Sequence, residues 1–158
     1  MTFNSWQETV PATLKKDAVW SLSSYRHALC LAELCWMDVS KLNMDFRTRE
    51  LCSQLYRAVG SVGANLAEGF SRGAGRDRAR FYEYALSSAR ECRHWYFNAK
   101  HILGDAVTEH RLNLLSEIIR LTLTIIPQQR DSLLRDESVP YHTQEPEIPP
   151  TLMESIAT

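Results

Sequence analysis

Apolar side chains recur every seven residues in four long segments, the signature of helices packed nearly parallel or antiparallel to one another. In the first segment Ala18, Leu22, Tyr25, Leu29, Ala32, Trp36 and Val39 share one stripe, Asp17 is placed to cap the start, and Asn43 to Asp45 break the pattern. The second helix is predicted from Phe46 to Phe70. Its stripe is Leu51, Leu55, Ala58, Val62, Asn65 and Gly69, with Cys52, Val59 and Leu66 on a neighbouring face. Gly60, Gly63, Ala64 and Ala67 make this helix thin. A helical glycine costs about 1 kcal/mol relative to alanine, so two glycines so close imply the near approach of another helix.

A turn at Ser71 to Gly75 leads into a third helix, predicted from Asp77 to Leu103. It carries two seams. Tyr82, Ala85, Ala89, Cys92, Tyr96, Ala99 and Leu103 form the first; Phe81, Tyr84, Ser88, Glu91, Trp95, Asn98 and Ile102 form the second, roughly 100° around the helix. One bundle core needs a single apolar arc. The surplus predicts that Phe81, Tyr84, Trp95 and Ile102 are buried against something else, most simply another subunit. Gly104 is placed to end this helix and Asp105 to cap the fourth. The fourth helix has Leu114, Ile118, Leu121 and Ile125 on one stripe, with Leu115, Ile119, Thr122 and Ile126 beside them. Pro127 is expected to kink or end it, and Leu133 and Leu134 suggest a resumed apolar turn. Short connections make antiparallel neighbours the default. The expected fold class is therefore all-α, an antiparallel up-down-up-down four-helix bundle over residues 17–136. It is flanked by an N-terminal extension (1–16) and an acidic, proline-containing tail (137–158), read as extended or disordered.

Composition changes this picture little. The 158 residues are 44% hydrophobic and 23% charged, enough for one domain with a real core. No apolar run reaches the roughly 18 residues of a membrane span, and Met1 to Lys16 lacks the layout of a secretory signal, so a cytoplasmic protein without membrane partners is expected. Cys30, Cys35, Cys52 and Cys92 form no CxxC pair and sit among apolar residues, which favours buried thiols over a zinc site. Charge matters more. Residues 136–158 hold Asp136, Glu137, Glu145, Glu147 and Glu154 with no Lys or Arg, leaving residues 1–135 with 18 basic and 14 acidic side chains. The body is mildly basic and the tail acidic.

The most suggestive chemistry is basic. Arg72, Arg76, Arg78 and Arg80 crowd the turn and the start of the third helix, and Arg90, Arg93 and Lys100 continue along it. A guanidinium offers phosphate a planar fork of donors, which makes these seven residues the candidates for nucleic-acid contact. The interleaved aromatic residues can stack on bases, though their heptad placement favours packing. Glu91-Cys-Arg-His94 reads as half of a di-iron carboxylate motif, but the chain has no second Glu-x-x-His. Gly73-Ala-Gly75 is too short for a phosphate-binding fingerprint. No catalytic residue, metal or cofactor is predicted.

The run Gln54 to Phe70, with Arg80-Phe81 and Ala85-Leu-Ser-Ser-Ala-Arg-Glu91, resembles the four-helix bundle family of 23S rRNA intervening-sequence proteins. The family's Ser-x-x-Ala-Asn-x-Ala-Glu-Gly core is matched by Ser61, Ala64, Asn65, Ala67, Glu68 and Gly69, and a Ser-x-x-Glu on the next helix by Ser88 and Glu91. Many members have proline where this chain has Gly63. The resemblance implies a bundle that assembles into a ring, typically a homopentamer. It also implies a fold shared with the accessory variability determinant proteins of diversity-generating retroelements, basic rings that bind nucleic acid and a reverse transcriptase. Asn65, Glu68, Gly69, Ser88 and Glu91 are expected to build a structural polar motif, with Asn65 and Glu68 bonding across to the third helix or its turn, because an unpaired buried polar group costs about 1–3 kcal/mol. The expected protein is a non-catalytic, homo-oligomeric scaffold for RNA, DNA or a nucleic-acid-associated protein. The alternative is a structural or protein-interaction module with no nucleic-acid role.

Overall fold

The structure, a computed structural model, describes residues 3–130, and among these all regular secondary structure is helical. The order is α1 (Phe3–Thr9), α2 (Ala12–Lys15), a 3-10 turn (Ala18–Ser21), α3 (Ser23–Leu42), a second 3-10 turn (Phe46–Thr48), α4 (Arg49–Phe70), α5 (Gly75–Asn98), α6 (Lys100–Leu103) and α7 (Asp105–Arg130). The four long helices close on one another: α4 packs on α3 and α5, and α7 packs on α5 and α3. The expectations for Leu133, Leu134 and the tail at 137–158 lie outside the described residues.

The core follows the sequence pattern most closely on α4 and α5. Leu55, Ala58, Val59, Val62, Leu66 and Gly69 are buried on α4, and the whole first seam from Tyr82 to Leu103 is buried on α5 and α6. On α3 the pattern misleads. The inward residues are Ser24, Ala28, Leu31, Cys35, Asp38 and Leu42, while Trp36, expected in the core, is 61% exposed. The expected stripe is a flank of the helix, where Leu22, Tyr25, Ala32 and Val39 pack half-buried against the core. The other flank is covered by the segment expected as an extension. Trp6 is buried with Val10 and Cys30, donates its indole N–H to Glu33 at 2.6 Å, and lies beside Phe3, which stacks on His27.

Helix starts differ from expectation at Asp17 and Asp105. Asp17 caps the first 3-10 turn, accepting from the Val19 amide, and α3 begins only at Ser23. Asp105 lies within the first turn of α7, where its negative charge complements the positive end of the helix dipole, and is not the residue that precedes the helix. Pro127 does not end α7, which continues to Arg130. A proline removes only the bond to the carbonyl four residues back, here Leu123, and both residues are exposed, so water can satisfy that oxygen. Gly104 does end α6, at φ 87°.

All four cysteines are buried, free thiols. Burial pushes Cys30 and Cys35 up to about 11.

The glycines of α4 have three different surroundings. A Cβ on Gly60 would meet nothing, and one on Gly63 would meet only Ala28 Cβ at 3.9 Å. The close helix approach expected at this pair occurs instead at Gly69. Gly60→Ala is therefore expected to stabilise the chain by about 0.5–1 kcal/mol, measured by chemical denaturation, unless a second copy packs on that spot.

Candidate nucleic-acid interface

The seven basic candidates fall into distinct groups. Arg78 is buried beneath the turn, donating to the carbonyls of Arg72 (2.6 Å) and Gly73 (3.3 Å). It bolts the α4–α5 turn to α5 and is withdrawn as a phosphate contact: its Nη2 donates to both backbone oxygens, and burial closes the side chain to a ligand. Above it, Arg72 and Arg80 flank the Phe81 ring, with guanidinium carbons 4.7 and 5.8 Å from the ring centroid. This cation–π placement holds both charges at the surface. Each also has a carboxylate neighbour, Glu68 for Arg72 and Asp77 for Arg80, the latter at 3.6 Å. These pairs are exposed, worth at most about 1 kcal/mol, and are readily exchanged for phosphate.

Along α5, Arg76, Arg80, Arg90 and His94 fall within an arc of about 80°, on the side turned away from the core, over about 27 Å of helix. All four are exposed. Glu83 interrupts the arc but is engaged by Arg130 from the last turn of α7. Arg76, Arg80 and Arg130 thereby line one cleft of about 750 Å³ with Asp77, Ala79 and Glu83. Arg130 was not among the sequence candidates, since nothing in the local pattern ties the end of α7 to the start of α5. Arg93 is exposed outside this arc, and Lys100 sits on α6 with its ammonium 4.6 Å from the Phe97 ring. The structure thus brings together Arg72, Arg76, Arg80 and Arg130, extends them through Arg90, and leaves Arg93 and Lys100 apart.

The polar motif is arranged differently from expectation. Asn65 donates to the Ser61 carbonyl at 2.8 Å, Glu68 pairs with Arg72, and Glu91 accepts from the Trp95 indole at 3.1 Å. Each partner lies on the same helix or its end, so the predicted bonds across α4 and α5 are replaced by local ones. The reason is exposure: Asn65 is only half-buried, and Glu68 and Glu91 are exposed. Of these positions, Gly69 is where the two helices approach closely, with Tyr82 and Phe81 seated against it. The second seam stays partly open, with Phe81, Trp95 and Ile102 half-buried and Tyr84 49% exposed.

The sequence reading also missed a buried charge. Asp38 on α3 accepts from Arg111 Nε at 2.7 Å and Nη2 at 3.0 Å, and from the Tyr96 hydroxyl at 3.0 Å. Burial works against the Arg111 charge, yet the bonds and charge of Asp38 raise its pKa above the usual arginine value. Burial also raises Tyr96, which keeps its hydroxyl a donor. The available signal was an acid and a base of opposite sign on apolar stripes: Leu31-Cys35-Asp38-Leu42 and Thr108-Arg111-Leu115-Ile118.

Among the described residues, no three His, Cys, Asp or Glu side chains converge as metal ligands. His94 instead bonds Asn98 at 3.1 Å. No described helix is long and apolar enough to cross a membrane. No curated protein and no solved structure matches the chain significantly. A family profile does match, across residues 21–126, which covers α3, α4, α5, α6 and nearly all of α7. With that match over the packed helices, the chain belongs to the 23S rRNA-intervening sequence protein family.

Proposed function

We propose that this protein is a non-catalytic, cytoplasmic scaffold that binds structured RNA through the outer face of α5. The observation that carries the reading is the exposed arginine arc of Arg76, Arg80 and Arg90, extended by Arg72 over Phe81 and by Arg130. Membership of a family named for ribosomal RNA intervening sequences supports RNA as the polyanion. In this reading the four long helices form an up-down-up-down bundle. Contacts supporting that topology pair the end of α3 with the start of α7 (Asp38–Arg111) and the start of α5 with the end of α7 (Glu83–Arg130). Copies of the bundle assemble through the half-open seam of Phe81, Tyr84, Trp95 and Ile102 into a ring, five subunits being favoured. Each copy then repeats the arginine face and multiplies its field. A reverse transcriptase is a second candidate partner.

The test is fluorescence anisotropy with a 23S rRNA fragment across a salt series, beside light scattering coupled to gel filtration. Affinity should fall with salt at a slope of about 0.7–0.9 per phosphate contacted. Arg76→Gln with Arg80→Gln should weaken binding and flatten that slope. Salt-independent or absent binding would sink the RNA reading, and a monomer at high concentration would sink the ring.

A second reading, a pure protein-interaction module, is favoured by a different surface. Trp36 and Tyr56 lie edge to face on the outside of α3 and α4, both largely exposed, over a groove of about 370 Å³ that includes Val39 and Cys52. If RNA fails to bind and Trp36→Ala abolishes capture of a purified protein partner, this reading replaces the first.

A further inference from the structure

The geometry points to an occupant for the arginine cleft: the acidic segment 136–158 of the same chain, which there competes with polyanionic ligands. The inference goes beyond the RNA reading and rests on it only for what is displaced. Three observations carry it. First, Arg76, Arg80 and Arg130 come from two helices to line one cleft of about 750 Å³. Their carboxylate neighbours, Asp77 and Glu83, are held only in partly exposed pairs that a stronger polyanion can exchange.

Second, Arg130 is both a wall of this cleft and the residue from which the chain continues into 131–158. Glu145 and Glu147 follow it by 15 and 17 residues. Extended chain of that length reaches about 50 Å, against about 21 Å from Arg76 to Arg90 along α5. Tethering so close gives the segment an effective concentration on the order of millimolar. Third, charge is complementary: residues 136–158 carry five carboxylates and no Lys or Arg, while the exposed arc carries Arg76, Arg80 and Arg90.

The test uses the full-length chain throughout. Amide NMR signals of Glu145 and Glu147 should be attenuated at low salt and regain full intensity at high salt. They should also regain it at low salt in the full-length variant Arg76→Gln, Arg80→Gln, Arg130→Gln. Sharp, salt-independent signals in the unmodified chain overturn the inference. Attenuation that persists in the arginine variant also overturns it, because the segment then docks elsewhere. In parallel, Asp136→Asn with Glu137→Gln, Glu145→Gln, Glu147→Gln and Glu154→Gln should tighten binding of the rRNA fragment by about tenfold, as expected if the open cleft is populated about one-tenth of the time. Tighter binding without NMR docking overturns the inference in favour of general repulsion. Absence of RNA binding to every variant sinks the RNA reading, while the NMR arm still decides whether the segment occupies the cleft.

Discussion

Replacing Asp38 by alanine is expected to cost about 3–5 kcal/mol of folding stability, because it leaves a buried guanidinium without its counter-charge. Asp38 is 5% and Arg111 9% exposed. The carboxylate takes two hydrogen bonds from Arg111 and a third from Tyr96, so a single side chain ties α3 to α7 and α5. Water cannot replace it without entering the packed interior beside Cys35 and Leu42, both fully buried. The loss comes from stranding Arg111 more than from any intrinsic strength of the pair. The double variant Asp38→Ala with Arg111→Met should therefore recover a large part of it. Tyr96→Phe, which deletes one hydrogen bond and keeps the ring, should cost only about 1 kcal/mol. Urea denaturation at fixed protein concentration checks all three. A loss below about 1 kcal/mol for Asp38→Ala would mean that the pair is solvated, contrary to its burial.

Gly69→Ala is the second large effect, expected to destabilise by about 1–3 kcal/mol. Helix propensity alone predicts a gain of up to about 1 kcal/mol. Space decides the sign. The new methyl would sit 2.8 and 2.9 Å from two ring carbons of Tyr82 and 3.0 Å from Phe81 Cβ. Tyr82 is 2% exposed and cannot swing aside, and Phe81 Cβ is fixed to its backbone. The two helices must part, or Tyr82 must leave its rotamer. Gly60→Ala in the same helix, with nothing within 4 Å, is the matched control of opposite sign. Because Phe81 carries Arg72 and Arg80 on its ring, Gly69→Ala should also weaken RNA binding. Equal stability of the Gly60 and Gly69 variants would show that the α4–α5 contact is looser than described.

Several features were legible along the chain because they depend on neighbours in sequence. The heptad seams of α4 and α5, the stop at Gly104, and the small, buried thiols all follow from periodicity and local backbone preference. The basic run from Arg72 to Arg93 was equally plain as composition. Its division was not: whether an arginine faces water, a ring or a carbonyl depends on which turn lies above it. Arg78 and Arg80 are two residues apart and have opposite fates, one buried under the turn and one open on the cleft.

On α3 the heptad admitted two adjacent stripes, and the richer one in Trp and Tyr was the wrong choice for the core. The docked Trp6 and the Asp38–Arg111 pair set the rotation of that helix, and both are contacts between residues 27 and 73 positions apart. Arg130 entered the arginine cleft for the same reason: its partner, Glu83, is 47 positions away. The sequence by itself determined that this chain is helical, where its long helices lie, and that α5 is rich in arginine, since each is written in i, i+3 and i+4 relations. Only the tertiary structure decided which face of α3 turns inward, which charges are buried, and which arginines meet at one cleft. Those outcomes depend on distances through space between helices, and no local periodicity encodes them.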